Sequence, residues 1–165
     1  MIPVLKLSQI LAQEDFKYTL NCIHRFWKSR NQLMSFDNDM FYRYYLHNPS
    51  FLKVMHKKLL PLAQEKFKTK LKISYSFLSM YNKGIGICPL HTDRPQCRYS
   101  IDLCLDQINP WPIFINDVEY ILQPNEALFY SGVEHPHYRN KIQPDNYVSL
   151  AFFHFVDPDF EGDLN

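Results

Sequence analysis

The sequence predicts an α+β fold in which N-terminal helices pack on the outer sheet of a curled double sheet, and three observations carry that expectation. Apolar residues recur at helical spacing before Lys70, alternate at strand spacing after it, and then fall in short runs separated by Asn-Pro, Asn-Asp and Pro-Asn turn formers. Helices followed by six to eight short strands with close turns build a jelly-roll, a cupin-like double-stranded β-helix whose strands share one mouth. The 165 residues suit a single domain, with a helical layer over 1–70 and the sheet core over 71–157.

Between 13 and 30, Phe16, Leu20, Ile23 and Trp27 step by three and four, which makes one inward stripe of a helix. The stretch 33–45 is aromatic and irregular; a short helix starting near Asp37 fits it, since a carboxylate caps free first-turn amides. Asn48-Pro49-Ser50 restarts the chain, and Phe51, Met55, Leu59 and Leu62 mark a second long helix to about Phe67, kinked at Pro61. Next, Leu71, Ile73, Tyr75 and Phe77 alternate with Lys72, Ser74 and Ser76, a strand with one buried face that ends in a loop over 81–86. Tyr99, Ile101, Leu103 and Leu105 alternate with Ser100, Asp102 and Cys104 in the same way. Short strands follow at 111–115, 118–122 and 127–130, and a strongly apolar one at 147–156 stops at Asp157-Pro158.

Aromatics make up 16% of the chain, with 13 Phe and 11 Tyr, which suits large side chains packed between sheet layers. A net charge of +1 argues against a nucleic-acid partner, which needs a marked basic excess. Lys57, Lys58, Lys66, Lys68, Lys70 and Lys72 read as the solvated face of a helix and the strand after it. The start, Met1-Ile2-Pro3, has neither a basic nor a long apolar region, so a cytoplasmic, reduced chain without a membrane partner is expected. Cys22 and Cys104 read as core residues. Cys88, His91 and Cys97 offer zinc donors, but no tight C-x-x-C pair accompanies them.

The chemistry is concentrated after the first strand. His91 and Asp93 lie two positions apart, hence on one face if extended, and His135 and His137 follow about forty-five residues later. Two imidazoles and one carboxylate on one side of an ion leave its other positions open, as non-haem Fe(II) requires to take a chelating cosubstrate and dioxygen together. An H-x-D by itself arises by chance about once in two chains of this composition, so its surroundings have to carry the assignment. His24, His47, His56 and His154 read as capping, surface or packed residues.

Several blocks in order, Tyr75-Ser-Phe-Leu-Ser-Met-Tyr81, His91-Thr-Asp93-Arg94, Leu122 to Arg139 and Leu150-Ala-Phe-Phe-His154, resemble the Fe(II)/2-oxoglutarate-dependent oxygenase superfamily. They are closest to small members of its prolyl-hydroxylase and phytanoyl-CoA hydroxylase branches. The resemblance spans roughly 70–156. It implies a dioxygenase of the hydroxylase type, with Fe(II) held by His91, Asp93 and His137, 2-oxoglutarate and dioxygen as cosubstrates, and ascorbate as an accessory reductant. His137 is preferred over His135 because the family pattern of Gly, then Glu two later, then His followed by aromatic-Arg matches Gly132, Glu134, His137, Tyr138 and Arg139.

Many members carry Arg-x-Ser about ten residues after the distal histidine, where this chain has Tyr147-Val-Ser149. For the distal carboxylate of 2-oxoglutarate the resemblance leaves Arg139 as first choice and Arg98 as second, with Tyr81 and Ser149 as hydroxyl donors. Asn125-Glu126 replaces the usual Gly-Asp turn, and Asn tolerates the left-handed backbone that Gly supplies. Phe41 to Tyr45 and Trp111 are candidates to line a substrate mouth for an amino acid, peptide or small metabolite. The alternative is a non-catalytic jelly-roll that binds a metal or a partner.

Overall fold

With Leu5 and Leu7 on one side and Lys6 and Ser8 on the other, β1 (Leu5–Ser8) pairs antiparallel with β9 (Glu126–Tyr130). This pairing closes one edge of the main sheet. In the computed structural model, which describes residues 2–82 and 84–165, the helical stripe forms α1 (Gln13–Lys28), continued by a short α2 (Arg30–Leu33). Of the expected 81–86 loop, Lys83 lies outside the described residues, as does Met1.

The short helix expected near Asp37 is absent. In its place β2 (Ser35–Asp37) and β3 (Arg43–His47) form a hairpin. Asp37 Oδ1 accepts the amides of Asp39 and Met40, so the carboxylate that was read as a helix cap caps a turn instead. The aromatic run then pairs with β4 (Lys72–Asn82), where Phe36 packs on Tyr44 and Tyr45 stacks on Phe77. The long helix α3 (Ser50–Phe67) runs through Pro61 unbroken and closes on Lys68 in the left-handed region at φ 55°.

Beyond α3 the chain supplies β5 (Cys88–His91), β6 (Tyr99–Gln107), β7 (Ile113–Ile115), β8 (Val118–Tyr120), β10 (His137–Arg139) and β11 (Tyr147–Val156). A seven-stranded sheet in the order β1-β9-β6-β11-β4-β3-β2 faces a four-stranded sheet in the order β5-β10-β7-β8, with every pairing antiparallel. This is the jelly-roll. Asn125 takes φ 65° at the turn into β9, and its side chain exchanges two hydrogen bonds with the backbone of Leu11.

The alternation along the strands of the large sheet separates two cores. Ile101, Leu103, Ala151, Phe153 and Phe129 join Leu52, Met55 and Leu59 of α3 in one cluster, while Cys104, Leu128, Tyr130, Leu150 and Tyr81 join Trp111, Ile113 and Ile115 in another. Both faces of the sheet are therefore covered, and Asp102 and Cys104 of β6 point into the space between the sheets, whereas Asp106 turns to His24 of α1. His56 sits in the first cluster against Phe153 and Phe155, 2% exposed and with Nε2 unpartnered. Burial holds its pKa down at about 3. The unfolded chain protonates near 6.5 and the folded one does not, so stability is complete above that pH and falls below it, by about 2 kcal/mol at pH 5. His56→Leu is expected to raise the unfolding temperature at pH 5 far more than at pH 8, which thermal melts at the two pH values will show.

Candidate metal centre

β5 ends on His91, β10 begins on His137, and the two residues face each other as register partners in the small sheet. Asp93 follows β5 in a loop pinned by its amide to Gly132 O at 2.8 Å, and Gly132 N in turn reaches Cys97 O at 3.2 Å. One donor atom from each of His91, Asp93 and His137 lies within 4.8 Å of the other two, and no other such group of His, Cys, Asp or Glu occurs among the described residues. Cys97 Sγ meets Tyr75 Oη at 3.0 Å instead of joining a zinc set.

The two imidazoles are oriented by the same device. His91 Nδ1 lies 2.6 Å from Pro89 O and His137 Nδ1 2.9 Å from His135 O, so each donates its Nδ1 proton to a carbonyl two residues back. That leaves both Nε2 atoms as lone-pair donors. They converge on Asp93 Oδ1, at 3.4 Å from His91 and 3.8 Å from His137. Burial pulls the His91 pKa down, but hydrogen bonding to Asp93 and to the Cys88 thiol outweighs it and lifts the group to about 10. His137 is more deeply buried and is shifted the other way, because desolvation exceeds the attraction of Asp93. Burial likewise pushes Asp93 up, and its hydrogen bond to His91 with the charge of His137 brings it below the usual carboxylate range. Without an ion one proton is thus shared between His91 and Asp93, and a divalent cation would displace it. The donor set fits such a cation: two neutral nitrogens and one carboxylate, held by backbone contacts on a single side.

Gly132 is required by proximity. A Cβ there would stand 2.1 Å from Asp93 Oδ2 and 2.9 Å from Asp93 Cβ, so the carboxylate would have to move. Gly132→Ala is expected to lower divalent-metal affinity by about tenfold to a hundredfold, measured by titrating the metal-free protein with Co(II) or Fe(II).

The cluster opens into a cavity of about 560 Å³ between the sheets. Tyr81 and Arg139 line it. Arg139 is 4% exposed; its Nη1 donates to Trp111 O, its Nη2 has no partner, and its guanidinium lies 5.1 Å from the Trp111 ring. Arg98 and Ser149 lie elsewhere. Arg98 pairs with Asp157 at 3.0 Å and is half-exposed. Ser149 bonds to Tyr147 Oη and alternates with Val148 and Leu150, which places it on the opposite side of β11 from the cavity. His135 also turns away, with its ring bridging Asn116 Nδ2 at 2.8 Å and Ile2 O at 2.7 Å.

Four further residues of the cavity were not singled out from the sequence. Asp102 is 1% exposed, takes the Tyr130 hydroxyl at 3.1 Å, and has Oδ1 free; burial lifts its pKa to about 7 against the pull of Arg139. Tyr130 also meets the His137 ring edge-on at 5.3 Å. Arg43 and Arg94 complete the set from the hairpin and from the position after Asp93. The signal for Asp102 was present in the polar half of the β6 alternation, which looked like a solvent face.

No family model matches the sequence, and no curated protein matches it. Solved structures match the fold. AviO1 from Streptomyces viridochromogenes Tue57 superposes with a TM-score of 0.76 at 12% identity, covering 97% of this chain and 92% of that one. The non-haem α-ketoglutarate-dependent epimerase SnoN from nogalamycin biosynthesis gives 0.77 at 9% identity, over 93% and 77%. A Pseudomonas putida prolyl-4-hydroxylase gives 0.70 at 13% identity, over 93% and 92%. The order of the strands and these three superpositions together give the chain the fold shared by AviO1, the α-ketoglutarate-dependent epimerase SnoN and the prolyl-4-hydroxylase.

Proposed function

We propose that the chain is an Fe(II)- and 2-oxoglutarate-dependent oxygenase acting on a small-molecule or peptide substrate, and that its reaction is a hydroxylation. The convergence of His91 Nε2, His137 Nε2 and the Asp93 carboxylate, with both imidazoles fixed from behind by backbone carbonyls and the Asp93 amide tied to Gly132 O, carries the reading. These three residues would hold Fe(II). Arg139, with a buried guanidinium and one nitrogen free inside the cavity, would take the distal carboxylate of 2-oxoglutarate, and the Tyr81 hydroxyl would assist it. When bound, iron and cosubstrate together supply the oxidising power, using dioxygen and yielding succinate and carbon dioxide as one oxygen atom is delivered to substrate.

The protein's own part is placement. Asp93 contributes one negative charge and the imidazoles none, which leaves the ion with net positive charge to hold an anionic chelator. Phe41 against His91 and Tyr130 against His137 wall the ligands with rings and limit water. The fold also serves an epimerase, so hydroxylation rests on the likeness to the prolyl hydroxylase and needs its own product analysis.

The deciding experiment mixes pure protein with Fe(II) and 2-oxoglutarate without dioxygen and reads the weak visible charge-transfer band of the iron chelate. Admission of air with ascorbate should then release succinate. Absence of both the band and 2-oxoglutarate binding at millimolar concentration would leave a non-catalytic module.

A further inference from the structure

The cavity carries more positive charge than the proposed cofactors use. Three arginines, Arg43, Arg94 and Arg139, line it with only two carboxylates, Asp93 and Asp102. No carboxylate among the described residues lies within ion-pair distance of any of the three, whereas Arg98 outside the cavity has Asp157 at 3.0 Å. Fe(II) and 2-oxoglutarate bring equal and opposite charge, so loading the centre leaves the surplus in place. Arg139 is the group assigned to 2-oxoglutarate, so Arg43 and Arg94 then remain against Asp102 alone, which lies within ion-pair distance of neither.

Both stand along the aromatic row that β4 presents to the cavity. Arg94, exposed at the cavity rim, donates Nε to Tyr75 Oη at 3.3 Å and hydrogen-bonds the Cys97 thiol, with its guanidinium 4.5 Å from the Tyr75 ring. Arg43 lies 4.8 Å from the Phe77 ring and 4.1 Å from Phe41; Nη1 reaches the Ser79 and Tyr81 hydroxyls, and the buried Nε has no partner. Arg43, half-buried among rings without an anion, gives up hydration and recovers only part of it, while Arg94 keeps its charge free at the rim. A cleft of one sign with apolar walls concentrates field and selects the opposite charge.

We infer that the substrate is an organic acid, an apolar or aromatic body bearing a carboxylate or phosphate group that Arg94 grips with help from Arg43, while Phe77 and Phe152 pack against the body. The inference rests on the oxygenase reading, because it assigns Arg139 and the iron to the cosubstrate.

The test uses 3-phenylpropanoate, 3-phenylpropanamide and phenyl phosphate as probes, with binding measured by calorimetry on the full chain loaded with Fe(II) and 2-oxoglutarate without dioxygen. At least one of the two acids should bind tenfold or more tightly than the amide, and which of them does so separates carboxylate from phosphate. That preference should shrink at high salt, vanish in Arg43→Met/Arg94→Met, and survive in Arg43→Lys/Arg94→Lys, with circular dichroism confirming that each variant is folded. Equal binding of acids and amide overturns the inference, as does a preference that persists in the double methionine variant. The charge-transfer band of the wild type separates the two readings: a band with no acid preference removes the substrate class alone. No band, with an acid preference in the metal-free chain that the methionine pair abolishes, removes the oxygenase and leaves the anion site.

Discussion

Replacing His137 by alanine is expected to abolish stoichiometric Fe(II) binding and to lower 2-oxoglutarate turnover by roughly a thousandfold or more, with Asp93→Ala doing the same. Each change removes one of only three protein donors, and neither neighbour can move in: His135 is occupied by Asn116 and Ile2, and His154 by Ser100 at 2.9 Å. His135→Ala is the matched control. It should keep the metal and lose stability, since its ring is tied to backbone and not to the centre. Metal content after gel filtration, together with succinate release, checks all three variants; a His137→Ala protein that still held one iron would refute the assignment.

Arg139→Met is expected to raise the 2-oxoglutarate concentration needed for half-saturation on the order of a hundredfold, because it deletes the buried cation proposed to meet a desolvated carboxylate. Iron binding should stay, since Arg139 is two residues beyond the ligand and none of its nitrogens reaches the donor set. Tyr81→Phe should cost several-fold at most, the loss of one hydroxyl donor. Band intensity as a function of 2-oxoglutarate gives both numbers. A much larger effect from Arg43→Met than from Arg139→Met would hand the distal carboxylate to Arg43.

The clustering of His91, Asp93 and His137 and the sheet-after-helix order were legible because they are local: a two-residue spacing on one strand end, a second imidazole at the start of another, and a change of period after Lys70. The hairpin of β2 and β3 was not. Its strands are three and five residues long and their aromatic side chains match no period; only pairing with β4 makes them strands. β1 was missed for a similar reason, as four residues whose partner lies near residue 128. The choice among basic residues depended on which side of a strand faces inward, and a register decides that. Ser149 shows the difficulty, since one step along β11 separates the cavity from the helices. Asp102 shows the converse: in a sheet covered on both sides the polar half of an alternating strand is interior, and it builds the site.

The β1 end of the chain also meets the loop that carries His137. Ile2 N donates to Glu134 Oε2 at 2.9 Å and Ile2 O receives His135 Nε2 at 2.7 Å, across more than 130 positions of sequence. Loss of these two contacts would spare every helix, yet it would unfasten the arm on which the His137 imidazole is mounted.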